Sequence, residues 1–403
     1  MRRNTSIVLL AVGHACVDVY QGAVAALIPF FVAERDYTYA VASGLVLAAS
    51  LLSSVAQPVF GVLTDRWAMP WLLPVSTLLG GVGIALSGLS GSYGLTLFFV
   101  AVSGIGVAAY HPESARVARQ ASQGSHSAMG WFSLGGNIGF ALAPLMVSAA
   151  IGHGSLRWTP VLVLPALVGA ALCVPVLRML ARPRAGTSTT PVPRGADDVA
   201  SFVKLSLAVV FRSIVFTGLS TFISLYAQQR MQGSATAGTA ALFLLFLGGA
   251  VGSVLGGSLA GRYDRVRVSR WAYLLSVGAV TGVIYAPGMA MFLFVALTSA
   301  CLYVPFSLQV TLGQDYLPSR VGTASGVTLG LTVSVGGLIS PLLGHLADTT
   351  DLQTALTPLI AMPALSWLFL RTLAEPTAPG AHLATPAPAS PTAPSDAKTV
   401  TGR

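Results

Sequence analysis

Charge is what this sequence lacks. Only 9% of its 403 residues are Asp, Glu, Lys or Arg, against about 25% in soluble domains. So few charges cannot cover a water-facing surface on a chain of this length, which excludes a soluble multidomain protein. The same composition excludes disorder and a coiled coil, since both need far more polar residues. Cysteine is scarce too. Cys16, Cys173 and Cys301 stand alone in apolar segments, so neither a disulfide framework nor a metal-ligand spacing is expected. No metal and no cofactor are predicted.

Hydrophobic residues make up 54% of the chain and mean hydropathy is +0.75. The apolar runs are long and continuous, without the alternation of barrel strands. Helices satisfy their own backbone groups in lipid, and each span needs ~20 residues. Twelve spans are expected, at 7–32, 40–63, 71–90, 94–115, 127–151, 158–178, 202–227, 236–260, 270–287, 290–313, 321–346 and 352–373. No cleavage site follows the first run, so it reads as a retained helix. Residues 181–200 are polar, Pro- and Thr-rich, and read as a linker between halves at 1–180 and 201–373. The Ala/Pro/Thr tail, 374–403, reads as disordered. The predicted fold class is an all-α membrane protein of twelve transmembrane helices in two six-helix bundles.

The net charge is +9, and in a lipid-embedded chain it serves topology rather than nucleic-acid binding. Of 22 Lys and Arg, Arg35, Arg157 and Arg230 fall on one side, Arg212 lies within a span, and the remaining 18 fall on the other side. This bias predicts that both termini are cytoplasmic, in a plasma or inner membrane. The halves also look like copies. Gly61-x-x-x-Asp65-Arg66 answers Gly257-x-x-x-Gly261-Arg262, Pro144 answers Pro341, and Glu34-Arg35 answers Gln229-Arg230, at offsets of 196, 197 and 195. Six plus six helices in parallel repeat is the layout of a major facilitator transporter, with the substrate site between the repeats. Both halves being present, a single chain is expected to suffice.

Polar groups inside spans ask for a reason. His14, Asp18 and Gln21, at i, i+4 and i+7, share one face of the first span. Asp18 lies near the midplane, where a carboxyl can take up and release a proton. A permanently paired structural carboxylate is the bland alternative. Arg212 lies ~12 Å beyond Lys204 along its helix, at a depth that makes it a partner for Asp18 or a clamp for an anionic substrate. Glu113, Arg116 and Arg119, three residues apart, form a charged stripe at the end of the fourth span, with His111 beside it as a proton-coupling candidate together with Glu113. They read either as a helix-end ion pair or as a cytoplasmic gate and proton exit. Asn137, Tyr226 and Gln309 are candidates for lining the substrate site, with Tyr303 beside them. Gly61, Asp65 and Arg66 are the candidate inner gate, with Gly61 allowing spans to meet tightly. The Gly-rich spans 5 and 11 read as packing hinges.

Several segments together resemble one family. They are Gly13-His14-Ala15-Cys16-Val17-Asp18-Val19-Tyr20-Gln21, Met69-Pro70-Trp71-Leu72-Leu73-Pro74, and His111-Pro112-Glu113-Ser114-Ala115-Arg116-Val117-Ala118-Arg119. Gly135-Gly136-Asn137-Ile138-Gly139 and Gln314-Asp315-Tyr316-Leu317-Pro318-Ser319-Arg320 join them. Over about residues 7 to 373 the chain is similar to the fosmidomycin resistance family of the major facilitator superfamily. The resemblance implies drug efflux from the inner membrane coupled to proton entry. The chain departs from the family pattern at Ser133, where Gln is usual, at Gly261, where Asp is usual, and in the loop after span 2, which lacks a second basic cluster.

The expected function is a proton-coupled efflux antiporter for small polar or anionic drugs. An uptake symporter for an organic anion is the runner-up, since fold and buried charges fit it equally. An enzyme using His14 and Asp18 as an acid/base pair lacks a nucleophile, a metal cluster and a nucleotide loop. A receptor lacks a soluble sensing domain.

Overall fold

The computed structural model describes residues 2–67, 69–122, 126–152, 154–180 and 196–376. These residues are helical and contain no strand. In chain order the helices are α1 (Arg2–Arg35), α2 (Tyr39–Arg66), α3 (Leu72–Ser87), α4 (Tyr93–Ser122), α5 (His126–Ile151), α6 (Leu164–Leu180), α7 (Val199–Arg230), α8 (Ala235–Ala260), α9 (Arg265–Tyr285), α10 (Ala290–Tyr316), α11 (Val321–Thr349), α12 (Leu352–Leu356) and α13 (Ala361–Leu370). Nine helical stretches among the described residues are long and apolar enough to cross a membrane. Val55, Val59, Trp131, Leu293 and Leu342 are all more than half exposed, a surface suited to lipid and not to water.

Each expected span coincides with helix, but the sixth and twelfth are broken. A 3-10 segment, Leu156–Val163, leads into α6, and another, Thr357–Ile360, joins α12 to α13. Both carry Thr-Pro, at Thr159-Pro160 and Thr357-Pro358. The fourth span is longer than expected: α4 continues through Pro112 to Ser122. Glu113 and Arg116 pair along the helix, so the charged residues satisfy one another instead of ending it.

Helix pairs recur at a fixed interval. α1 packs on α5 and α2 on α4; six helices later α7 packs on α11 and α8 on α10. Small residues make these contacts close. Gly135 and Gly139 lie against the main chain at Ala11 and Ala15, and Gly248, Gly252 and Gly256 against the main chain at Ala296, Ala300 and Val304. Asp36 (φ 54°) and Gln232 (φ 55°) both turn the chain in the left-handed region just after α1 and α7. The preceding arginines cap other helices. Arg35 donates to Gly88 O at 2.9 Å, and Arg230 donates to Ala286 O at 2.8 Å, placing cations at the carboxyl ends of α3 and α9, where the helix dipole favours them.

Contacts between α1–α6 and the later helices run chiefly through α2 on α11 and α5 on α8. At one end of α2, the Asp348 carboxylate accepts from Tyr39 N at 2.7 Å and Ala40 N at 2.9 Å. Thr38 Oγ1 takes the next amide, Val41 N, at 3.3 Å. Three of the helix's first N–H groups are thereby satisfied, two of them by a residue from α11. Gly344, one turn before Asp348, lets α11 approach the main chain at Tyr39 and Ala40.

Residues 181–195 of the expected linker and 377–403 of the expected tail lie outside the described residues. Their described edges are docked. Asp197 accepts from Ser319 N at 2.9 Å, Asp198 caps α7 through Ser201 N at 3.0 Å, and Glu375 accepts from Arg265 Nε at 2.6 Å and Val266 N at 3.0 Å.

Candidate functional site

His14 and Asp18 lie one turn apart on α1, and α4 brings His111 to the same point. His14 Nε2 is 3.2 Å from Asp18 Oδ2, and His111 Nε2 is 3.2 Å from Asp18 Oδ1. His111, a proton-coupling candidate expected at the cytoplasmic end of the fourth span, lies beside Asp18, because α4 runs well past it and leaves it mid-helix. Both imidazoles are held from behind. His14 Nδ1 is 2.9 Å from Phe132 O, and His111 Nδ1 is 2.7 Å from Val107 O. The His14 ring stacks on Phe132 with centroids 4.4 Å apart.

Asp18 is only 5% exposed. Gly136 on α5 makes room for the pair: a Cβ there would fall within 2.7 Å of His14 Cε1 and collide with Asp18 Oδ2. The three donor atoms gather within 4.8 Å. Each imidazole Nε2 faces a different carboxylate oxygen, and His14 Nε2 and Asp18 Oδ1 have no hydrogen-bond partner among the described residues.

The cluster borders a cavity of about 270 Å³, shared by Gln21, Gln57, Ser133 and Asn137. A second lobe of about 110 Å³ continues from it past Gln21, Ser53 and Phe140 toward Val46 and Ser220. Phe216 and Phe246, from α7 and α8, and Tyr303, from α10, wall both lobes. Residues from both repeats therefore face one space.

Arg212 is fully buried and forms no ion pair with Asp18. Its guanidinium lies 4.6 Å from the Tyr303 ring centroid and 5.1 Å from that of Phe306. Nε donates to Leu302 O at 2.6 Å, while Nη1 and Nη2 have no hydrogen-bond partner among the described residues. Tyr303 and Phe306 line the cavity, so the cation stands behind an aromatic wall. Cation–π contact offsets part of its desolvation.

The other candidates are placed elsewhere. Tyr226 donates to Ile284 O at 2.6 Å and accepts from Arg230 Nη1 at 2.9 Å, tying α7 to α9. Gln309 Nε2 donates to Tyr273 Oη at 2.6 Å, tying α10 to α9. Glu113 is buried and pairs with Arg116. Arg119 and Arg66 are exposed. A Cβ at Gly61 would meet nothing within 4 Å among the described residues, so no close helix approach on that side requires glycine. The side chain of Asp65 lies outside the described residues. Sequence reasoning passed over Gln57, Phe306 and Tyr110. Phe306 was within reach of a period argument, being three residues beyond Tyr303 on the same helix face. Tyr110, adjacent to His111, has its ring centroid 6.0 Å from that of His14.

Residues 10–341 match the Major Facilitator Superfamily. The chain is 30% identical over 373 residues to the fosmidomycin resistance protein of Escherichia coli (strain K12), covering 89% of this chain and 90% of that protein. It is 27% identical over 382 residues to an uncharacterized MFS-type transporter of Bacillus subtilis (strain 168), covering 90% and 91%. Among solved structures it resembles a bacterial homologue of the human lysosomal transporter Spinster in an inward-facing, occupied conformation. The TM-score is 0.76 and the identity 16%, over 92% of this chain and 96% of that one. Family and fold are those of multi-pass membrane transporters and not of enzymes: the chain belongs to the major facilitator superfamily, as a relative of the fosmidomycin resistance protein.

Proposed function

We propose that the protein is a proton-coupled drug efflux antiporter of the inner membrane, working by alternating access. In this reading twelve spans form two bundles, 1–180 and 201–373, joined by a cytoplasmic linker at 181–200. Both termini are cytoplasmic, and one chain is the working unit. The observation that carries the reading is the His14–Asp18–His111 cluster on the wall of the shared cavity. A proton on this cluster closes Asp18 onto an imidazole and leaves the cavity without that acceptor. Without the proton, the carboxylate accepts N–H or O–H groups of a bound drug. Proton and drug therefore compete for one group, which is the requirement for exchange. Gln21, Ser133 and Asn137 supply further polar contacts along the same wall.

The test uses fosmidomycin, the compound named by the relative. Cells expressing the wild type are expected to gain tolerance, and cells expressing Asp18→Asn at matched membrane levels are expected to gain none. Equal tolerance in both would remove Asp18 from the mechanism. A second reading, anion uptake by symport, is favoured by Arg212, a buried cation without a carboxylate partner. An anion would be drawn to it together with protons on the cluster. Inverted vesicles with an acidified lumen separate the two. Added fosmidomycin dissipates the gradient under antiport and deepens it under symport.

A further inference from the structure

We infer that the cluster binds two protons per cycle, one on each imidazole–carboxylate contact, so that its formal charge swings from one negative to one positive. The inference rests on the proton-coupled reading above and adds its stoichiometry. It follows from where the ring protons must lie. A backbone carbonyl only accepts. With His14 Nδ1 at 2.9 Å from Phe132 O and His111 Nδ1 at 2.7 Å from Val107 O, each Nδ1 carries a hydrogen. A neutral ring then presents a bare lone pair at Nε2. Each Nε2 faces a different oxygen of Asp18, at 3.2 Å. An ionised carboxylate also only accepts, so each contact sets lone pair against lone pair until a proton enters it. Two contacts of this kind take two protons. The first neutralises the cluster and leaves one contact open. The second closes it.

The surroundings bear on the second proton. Tyr110 Oη, on α4, has no hydrogen-bond partner among the described residues, and its ring lies beside both imidazoles. Cys16 lies between His14 and Asp18 in the sequence of α1. Glu113, two residues after His111, is neutralised by Arg116. Arg212 and Tyr303 stand across the cavity, with the guanidinium screened by the ring. The fixed cation opposes the second proton, and its distance behind the wall limits that opposition. His111, whose side chain is 26% exposed against 10% for His14, is the entry point. A proton reaches its Nε2 from the cavity first, passes to Asp18 Oδ1, and reaches His14 Nε2 when the protonated carboxyl rotates to present that O–H.

The test reads protons directly. The full chain, labelled with 15N-histidine in micelles, is titrated from alkaline to acid. Its six histidines are assigned with His14→Gln and His111→Gln. Both rings are expected to carry hydrogen on Nδ1 alone at the alkaline end and on both nitrogens at the acid end. Asp18→Asn, which keeps the shape, should shift the Nε2 signals of both rings. An Nε2–H tautomer in either ring at the alkaline end, or a ring that stays neutral after its neighbour charges, would overturn the inference. A functional arm uses proteoliposomes with the membrane potential clamped. One pH unit should sustain about a 100-fold fosmidomycin gradient for two protons, against about tenfold for one. A tenfold gradient refutes the second proton and keeps proton coupling. Two-step ring titration without any pH-driven gradient would overturn the antiport reading and leave the cluster's capacity standing.

Discussion

Gly136 decides how near α5 can come to the carboxylate. A methyl group there would press on His14 and Asp18 together, and overpacking of this kind costs about 1–3 kcal/mol. Gly136→Ala is expected to be made and inserted but to lose most fosmidomycin tolerance. Gly130→Ala on the same helix, where nothing lies within reach of a Cβ, should leave tolerance unchanged. Equal behaviour of the two variants would separate the close approach from function. Arg212 is the second residue whose burial makes a claim. A buried cation without a carboxylate partner carries a desolvation cost that a well-packed apolar side chain of similar volume does not. Arg212→Met should therefore keep or raise Tm while abolishing transport. A marked drop in Tm would assign the guanidinium to the fold and not to substrate. The two partnerless Nη atoms argue for the first outcome, because a structural arginine would be expected to have found its acceptors.

Helices meet at defined points, and the contact of α2 with α11 is the most directional. Asp348 reaches across to the first two amides of α2, a charge-assisted arrangement worth more than a neutral hydrogen bond. Under the proposed topology this contact lies at the outer face, where it ties α2 to α11. Asp348→Asn keeps one acceptor but turns an amide donor toward the other N–H. A loss of about 1–3 kcal/mol would change the balance of conformations by about 5- to 150-fold. Ser220 borders the upper lobe of the cavity. In a chain freed of its native cysteines, Ser220→Cys should be labelled by an impermeant maleimide from outside several-fold faster when Asp348→Asn is present. An unchanged rate would mean that the carboxylate only caps the helix. Elements were also the level at which sequence reasoning performed unevenly. Apolar run length located the helices, but it ended the fourth span at 115, and α4 runs on to Ser122. That shortening misplaced His111 in depth.

Across the whole molecule, the repeat was more legible than the site. The offsets near 196 in the sequence are matched by turns at Asp36 and Gln232, by Arg35 and Arg230 at helix ends, and by Thr-Pro in the two 3-10 segments. The shared helix face put His14, Asp18 and Gln21 together because i, i+4 spacing is a local property. No local rule reports that a residue nearly a hundred positions away completes the cluster. Tyr226 and Gln309 illustrate the converse. A polar residue in an apolar span signals a partner, and theirs are the neighbouring helix α9 and not a ligand.

The contact at Asp348 is also asymmetric in what mutation can reach. Its partners on α2 are main-chain amides, present whatever side chains stand at positions 39 and 40. Drift at those positions leaves the latch whole unless it introduces proline, which has no N–H to give. Substitutions that break this contact are therefore concentrated on the α11 side, at Asp348 and at Gly344 beside it.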